Sequence, residues 1–98
     1  MAYDITNLIN DLLAVIPDVE KELTDRKSGI HGNGSVQQLE LIRNELKQIL
    51  VYAQSNTLPS KDKRYTAFSR YIVDEWDFNF PLGNRLCKLA DNYKRRLK

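Results

Sequence analysis

The chain has 98 residues, 42% of them hydrophobic and 29% charged. This is the balance of one globular domain spanning 1–98, and it argues against a disordered, fibrous or disulfide-built protein. No apolar run approaches the roughly 20 residues of a membrane span, and residues 1–4 lack the basic start of a secretory signal, so no membrane contact is expected. The single cysteine, Cys87, cannot close an internal disulfide and points to a reducing cytoplasm. The net charge of +2 hides an asymmetry: residues 1–50 carry eight acids and five bases, residues 51–98 ten bases and five acids.

In residues 4–27, Ile5, Leu8, Ile9, Leu12, Leu13, Ile16, Val19 and Leu23 recur at helical spacing, and Asp4 or Thr6 can cap the start. Pro17 removes one donor and crowds the carbonyl four residues back. Because the apolar phase survives it, the expectation is one kinked helix. The alternative is a fresh helix with Pro17 at its first position. Residues 28–35 hold three glycines and an asparagine and read as a loop, one that could be mobile. Ser35 and Gln38 match the spacing of a capping box. A second helix is therefore expected over 36–54, with Val36, Leu39, Ile42, Leu46, Ile49, Leu50 and Ala53 inward.

After a connection containing Leu58 and Pro59, a third helix is expected over 62–75. Its stripe is Tyr65, Phe68, Ile72 and Trp76, with Ser60 or Asp62 as its cap. Pro81 disfavours helical conformation at Phe80, so a turn at 77–80 leads into a last helix over 81–97. There Leu82, Leu86, Leu89, Ala90, Tyr93 and Leu97 face one way, while Arg85, Lys88, Arg95 and Arg96 face mostly the other. No stretch alternates with period two for long enough to be a strand. Short connections predict an all-α fold, a small irregular antiparallel four-helix bundle.

No catalytic, cofactor or metal constellation stands out. His31 is the only histidine and has no partner ligands nearby. The loop glycines lack the strand and Gly-Lys-Ser/Thr context of a phosphate cradle. Cys87 lies between cations that would favour its thiolate, yet no base is near it. Asp74, Glu75 and Asp77 surround Trp76 without the ligand spacing of a calcium loop.

What remains is surface. The basic outside of the last helix and the Trp76, Phe78 and Phe80 turn form one candidate docking face, with Arg85, Lys88, Arg95 and Arg96 supplying charge. A second lies on helix 2, where Leu41 and Tyr52 stand off the core stripe and could also serve a homodimer. In size and helical pattern the chain resembles small bacterial immunity proteins, antitoxins and phage-borne inhibitors. That resemblance implies a cytoplasmic protein that docks on and blocks or scaffolds a protein partner. An acidic partner surface would complement the basic half. The alternative is nucleic-acid binding through the same bases, although Tyr93 points to the core rather than among them.

Overall fold

The computed structural model describes residues 3–97, and among them there are four α-helices and no strand. Helix α1 spans Ile5–Lys27, α2 Val36–Gln54, α3 Phe68–Glu75 and α4 Pro81–Asp91. A short 3-10 turn at Lys61–Lys63 precedes α3, and a π turn at Asn92–Arg96 extends α4.

Helix α1 runs unbroken through Pro17, as the continuous apolar phase requires. The carbonyl that Pro17 cannot serve belongs to Leu13, which is 52% exposed, so the proline sits on the wet side. That phase also corrects the stripe: Leu13 faces water, and Val15 takes a place in the core. Asp4 caps the helix by accepting from the Asn7 N–H at 2.9 Å. At the other end Gly29 takes φ +85, and the Ile30 N–H reaches back to the Asp25 carbonyl at 2.9 Å. This six-to-one closure needs the left-handed residue that glycine supplies at no steric cost. Helix α2 opens on the expected capping box of Ser35 and Gln38 and closes the same way, with Asn56 left-handed and Thr57 N–H on the Tyr52 carbonyl at 2.8 Å.

Neighbouring helices are antiparallel, as paired residues show. Across α1 and α2, Lys27 meets Glu40 at 3.7 Å and Glu20 meets Lys47 at 3.3 Å. Across α2 and α3, Trp76 Nε1–H donates to Gln38 while Glu45 reaches Ala67 and Phe68. Across α4 and α1, Arg85 meets Asp18 and Arg96 neighbours Tyr3. The helices close a ring in chain order, with α1 packed on both α2 and α4, and α3 on both α2 and α4. Leu8, Leu12, Val19, Leu39, Ile42, Leu46, Phe68 and Leu86 are its sealed centre.

Two boundaries differ from expectation. Helix α3 starts at Phe68, not near 62, because Arg64 is drawn inward instead of lying on a helix surface. Its Nε–H donates to the Pro59 carbonyl at 2.9 Å and Nη1–H to the Leu97 carbonyl at 2.8 Å. That leaves the Tyr65 side chain 76% exposed rather than in the core. The cap of α3 also comes from elsewhere. The Glu45 carboxylate on α2 accepts from the Ala67 and Phe68 N–H groups, both at 3.0 Å, where Ser60 or Asp62 was expected. A negative charge at a helix N-terminus is favourable. The second boundary is the end of α4, which widens at Asn92 into a π turn closed by Leu97 N–H on the Asn92 carbonyl at 2.8 Å.

The glycine-rich loop 28–35 is tied down. Arg26 donates to the carbonyls of Asn33 at 2.8 Å and Gly34 at 3.2 Å, and pairs with Glu22 at 2.6 Å. Asn33 Oδ1 in turn accepts from the Asp77 N–H at 2.9 Å, which latches the loop to the turn after α3. Gly34 has φ +84, and any Cβ there would stand 2.7 Å from the Trp76 ring.

Candidate functional site

The expected face joining the last helix to the aromatic turn is not one surface. Trp76 is 6% exposed and belongs to the core, with Phe80 half-buried against it at 5.7 Å between ring centroids. Trp76 therefore seals the bundle end and is out of reach of a partner. Of the three aromatics only Phe78, 81% exposed, stands in water. The bases divide too. Arg85, Lys88 and Arg96 line the groove between α1 and α4. Arg95 lines the groove between α3 and α4, with Arg70 and Lys94. Helix α4 is about 16 Å long at 1.5 Å per residue, which separates Phe78 at one end from Arg95 and Arg96 at the other.

Two of these bases already have carboxylates: Arg85 meets Asp18 at 2.6 Å and Arg95 meets Asp91 at 3.4 Å. Both pairs are half-exposed or more, where ion pairs are worth about 0–1 kcal/mol, so an acidic partner can compete for them. Lys88, Lys94 and Arg96 have no carboxylate within 4.0 Å among the described residues.

Leu41 and Tyr52, by contrast, do come together. They lie on one side of α2 with Asn44, Glu45 and Gln48, facing α3 and the segment before it. The groove between holds about 440 Å³, and Tyr65 and Tyr71 form its far wall. It exists because α3 starts late: the two turns expected over 62–67 would have covered α2, and an irregular strap passes there instead. Tyr93 and Ile49 make its floor. Burial lifts the Tyr93 phenol above its ordinary range, with the nearby Arg64 charge pulling it partly back. Lys63 stands at the mouth, and the one carboxylate in the wall, Glu45, is committed to the α3 N-terminus.

Tyr65 and Tyr71 are the residues that sequence reasoning missed here. Tyr65 fell on the apolar phase of a helix that does not form at that point. No local signal marks this, because Ser60 and Asp62 offer nearer caps and Glu45 reaches the α3 N-terminus only through the fold.

Cys87 is half-buried, and burial pushes its thiol above the usual range. The flanking cations do not lower it, in keeping with the semi-exposed, inert thiol expected where no base is near. A raised thiol means less thiolate at neutral pH, so Cys87 should react with a disulfide reagent at neutral pH more slowly than free cysteine, and catch up only in alkali. Following thiol release against pH checks this, and labelling as fast as free cysteine at neutral pH would contradict it.

Among the described residues no three His, Cys, Asp or Glu side chains gather as a metal site requires, and no helix is long and apolar enough to cross a membrane. Comparison with protein-family models, curated proteins and solved structures finds no match.

Proposed function

We propose that the chain is a non-enzymatic binding protein that docks on a protein partner with an acidic surface and so blocks or scaffolds it. The docking site is the tyrosine-walled groove between α2 and α3. One observation supports this reading above the others: Leu41, Tyr52, Tyr65 and Tyr71 share one mostly apolar trough on a surface otherwise rich in charge. Tyrosines that present a large, stiff, amphipathic face are the side chains on which interface energy concentrates. Charge selects the partner. Lys63 at the mouth and Lys61 on the same turn have no carboxylate within 4.0 Å among the described residues. Acids on a partner would find these lysines unsatisfied, which favours encounter and register. A homodimer through Leu41 and Tyr52 would instead set the same lysine-flanked groove against its own copy.

Nucleic acid is the second reading, and one observation favours it. Tyr65 is a ridge between this groove and the cations Arg70, Lys94 and Arg95, an arrangement on which an unpaired base could stack. Asp74 and Asp91 in the same groove count against it.

Affinity capture from the cells of origin separates the two readings. The wild-type chain should retain one acidic protein in fixed stoichiometry. Leu41→Asp and Tyr52→Ala should each weaken that complex by about thirtyfold or more, as hot-spot losses of about 2 kcal/mol imply. Lys88→Ala, on the other side of the bundle, should leave it intact. A complex that survives both groove variants would overturn this reading. Steeply salt-dependent oligonucleotide binding, lost in Tyr65→Ala, would select the second.

A further inference from the structure

The groove between α1 and α4 lies opposite the tyrosine groove and has a different character. It holds about 400 Å³, the lower range of small-ligand cavities. Its walls are more polar than apolar, with Val15 and Leu89 among the lining side chains. Helix α1 contributes Asn7 and Asp11, and the chain from α4 into the π turn contributes Lys88, Asn92 and Arg96. Ala14 lacks the bulk to fill the space between them.

Asn92 points to a ligand. It is 6% exposed, and its side-chain amide has no hydrogen-bond partner among the described residues. Such an amide carries two donors and an acceptor that a ligand can use. No fully enclosed polar side-chain atom among those residues is left without a partner. The Asn92 amide therefore borders open space, and the groove is the space it lines.

The π turn sets the rest. A π turn advances by less per residue than an α-helix, roughly 80° instead of about 100°. Arg96 consequently falls nearly in line with Asn92 and Lys88 along one wall instead of rotating away. Such widened turns recur at functional sites. Arg96 also stands close enough to Tyr3 for its charge to oppose the rise that burial and Asp11 give the Tyr3 phenol. Arg85 is engaged with Asp18, and Asp11 Oδ2 accepts from the Tyr3 hydroxyl at 2.8 Å. Lys88, Arg96 and the Asn92 amide are left with donors unspent along a single line.

We infer that the α1–α4 groove is a binding site for a small phosphorylated compound, its phosphate held between Lys88 and Arg96 with the Asn92 amide donating to a third oxygen. Arginine and lysine together suit a phosphate, which offers several acceptor oxygens and two negative charges. The Asp11 carboxylate on the facing wall repels a second anionic group but can accept from a hydroxyl. The ligand is thus a phosphate monoester whose remainder carries hydroxyls.

The test follows the Asn92 side-chain NH₂ signals by NMR while inorganic phosphate, ribose 5-phosphate or ribose is added, with chloride at matched ionic strength as control. Phosphate and ribose 5-phosphate should shift those signals saturably, ribose 5-phosphate at lower concentration, and ribose alone should not. Lys88→Ala and Arg96→Ala should each weaken binding about tenfold, the loss of one charge-assisted hydrogen bond. Asn92→Asp, which keeps the shape and adds a negative charge, should abolish it. Lys94→Ala, in the neighbouring groove, should change nothing. The inference is overturned if phosphate moves the Asn92 signals no more than chloride does. It is equally overturned if Lys88→Ala and Arg96→Ala bind as the wild type does. Neither outcome bears on the tyrosine groove, which the capture experiment tests separately.

Discussion

Replacing Trp76 by alanine should cost about 3–5 kcal/mol of folding stability, the range for deleting a buried large aromatic side chain. A small domain has only about 5–15 kcal/mol to lose. The indole fills the end of the bundle where four segments meet: the Gly34 backbone beneath its ring, Gly83 and Ile72 beside it, and Phe80 tilted against it. Its Nε1–H donates to Gln38 at 3.4 Å. The glycines at 34 and 83 are complementary to the ring, because a Cβ at either position would stand 2.7 Å or 3.3 Å from it. Nothing nearby can therefore move in to refill the space. Thermal unfolding followed by circular dichroism should show a midpoint lower by on the order of 15 °C or more, while Trp76→Phe recovers part of the loss. A Trp76→Ala midpoint within a few degrees of the wild type would mean that the ring does not hold this end together. The loop 28–35 should also become accessible to protease, since Gly34 loses its contact.

The same residue shows how far a single sequence could be read. Trp76 fell on the apolar phase of α3 and lies in the core, which takes it out of the docking face. Periodicity placed α1, α2 and the inward face of α4 within a residue or two, because each has at least three turns over which one stripe repeats. Between 55 and 67 it failed. There the governing forces are tertiary: a buried arginine on two carbonyls, and a carboxylate from α2 acting as the cap of α3. No local pattern announces either one, and the consequence was large. An assumed two turns of helix hid the tyrosine groove and put Tyr65 in the core. The basic face was legible as a set of residues but not as an arrangement. Arg85, Lys88 and Arg96 were separated from Arg95 by the choice of which neighbour each side of α4 packs against, and by a π turn that changes the phase after Asn92. Leu41 and Tyr52 were legible because they share a face of one long helix, where 100° per residue suffices.

The strap that opens the tyrosine groove hangs on Arg64, so Arg64→Met should cost about 2–4 kcal/mol of folding stability. Methionine replaces the aliphatic stem but none of the donors. The buried Leu97 carbonyl then loses its Arg64 partner, at about 1–3 kcal/mol for a buried group left unsatisfied, and the part-buried Pro59 carbonyl loses less because water can reach it. The guanidinium also lies 5.8 Å from the Tyr93 ring centroid, a cation–π contact worth about 0.5–2 kcal/mol. Against these losses stands the cost of holding a cation at 7% exposure, which methionine relieves, so the total falls below the simple sum. Arg64→Lys should rescue little, because one ammonium is not a fork spanning two carbonyls. Urea unfolding should show a lower midpoint with an unchanged slope. Amide exchange should quicken first in residues 59–66 and 92–97, which Arg64 joins, before the α1–α2 pair responds. Tyr65 takes its place on the groove wall from that strap, so partner binding at the groove should weaken even where most molecules remain folded. If Arg64→Met instead unfolds at the wild-type urea concentration and still binds the partner with wild-type affinity, the strap is set by something other than this arginine.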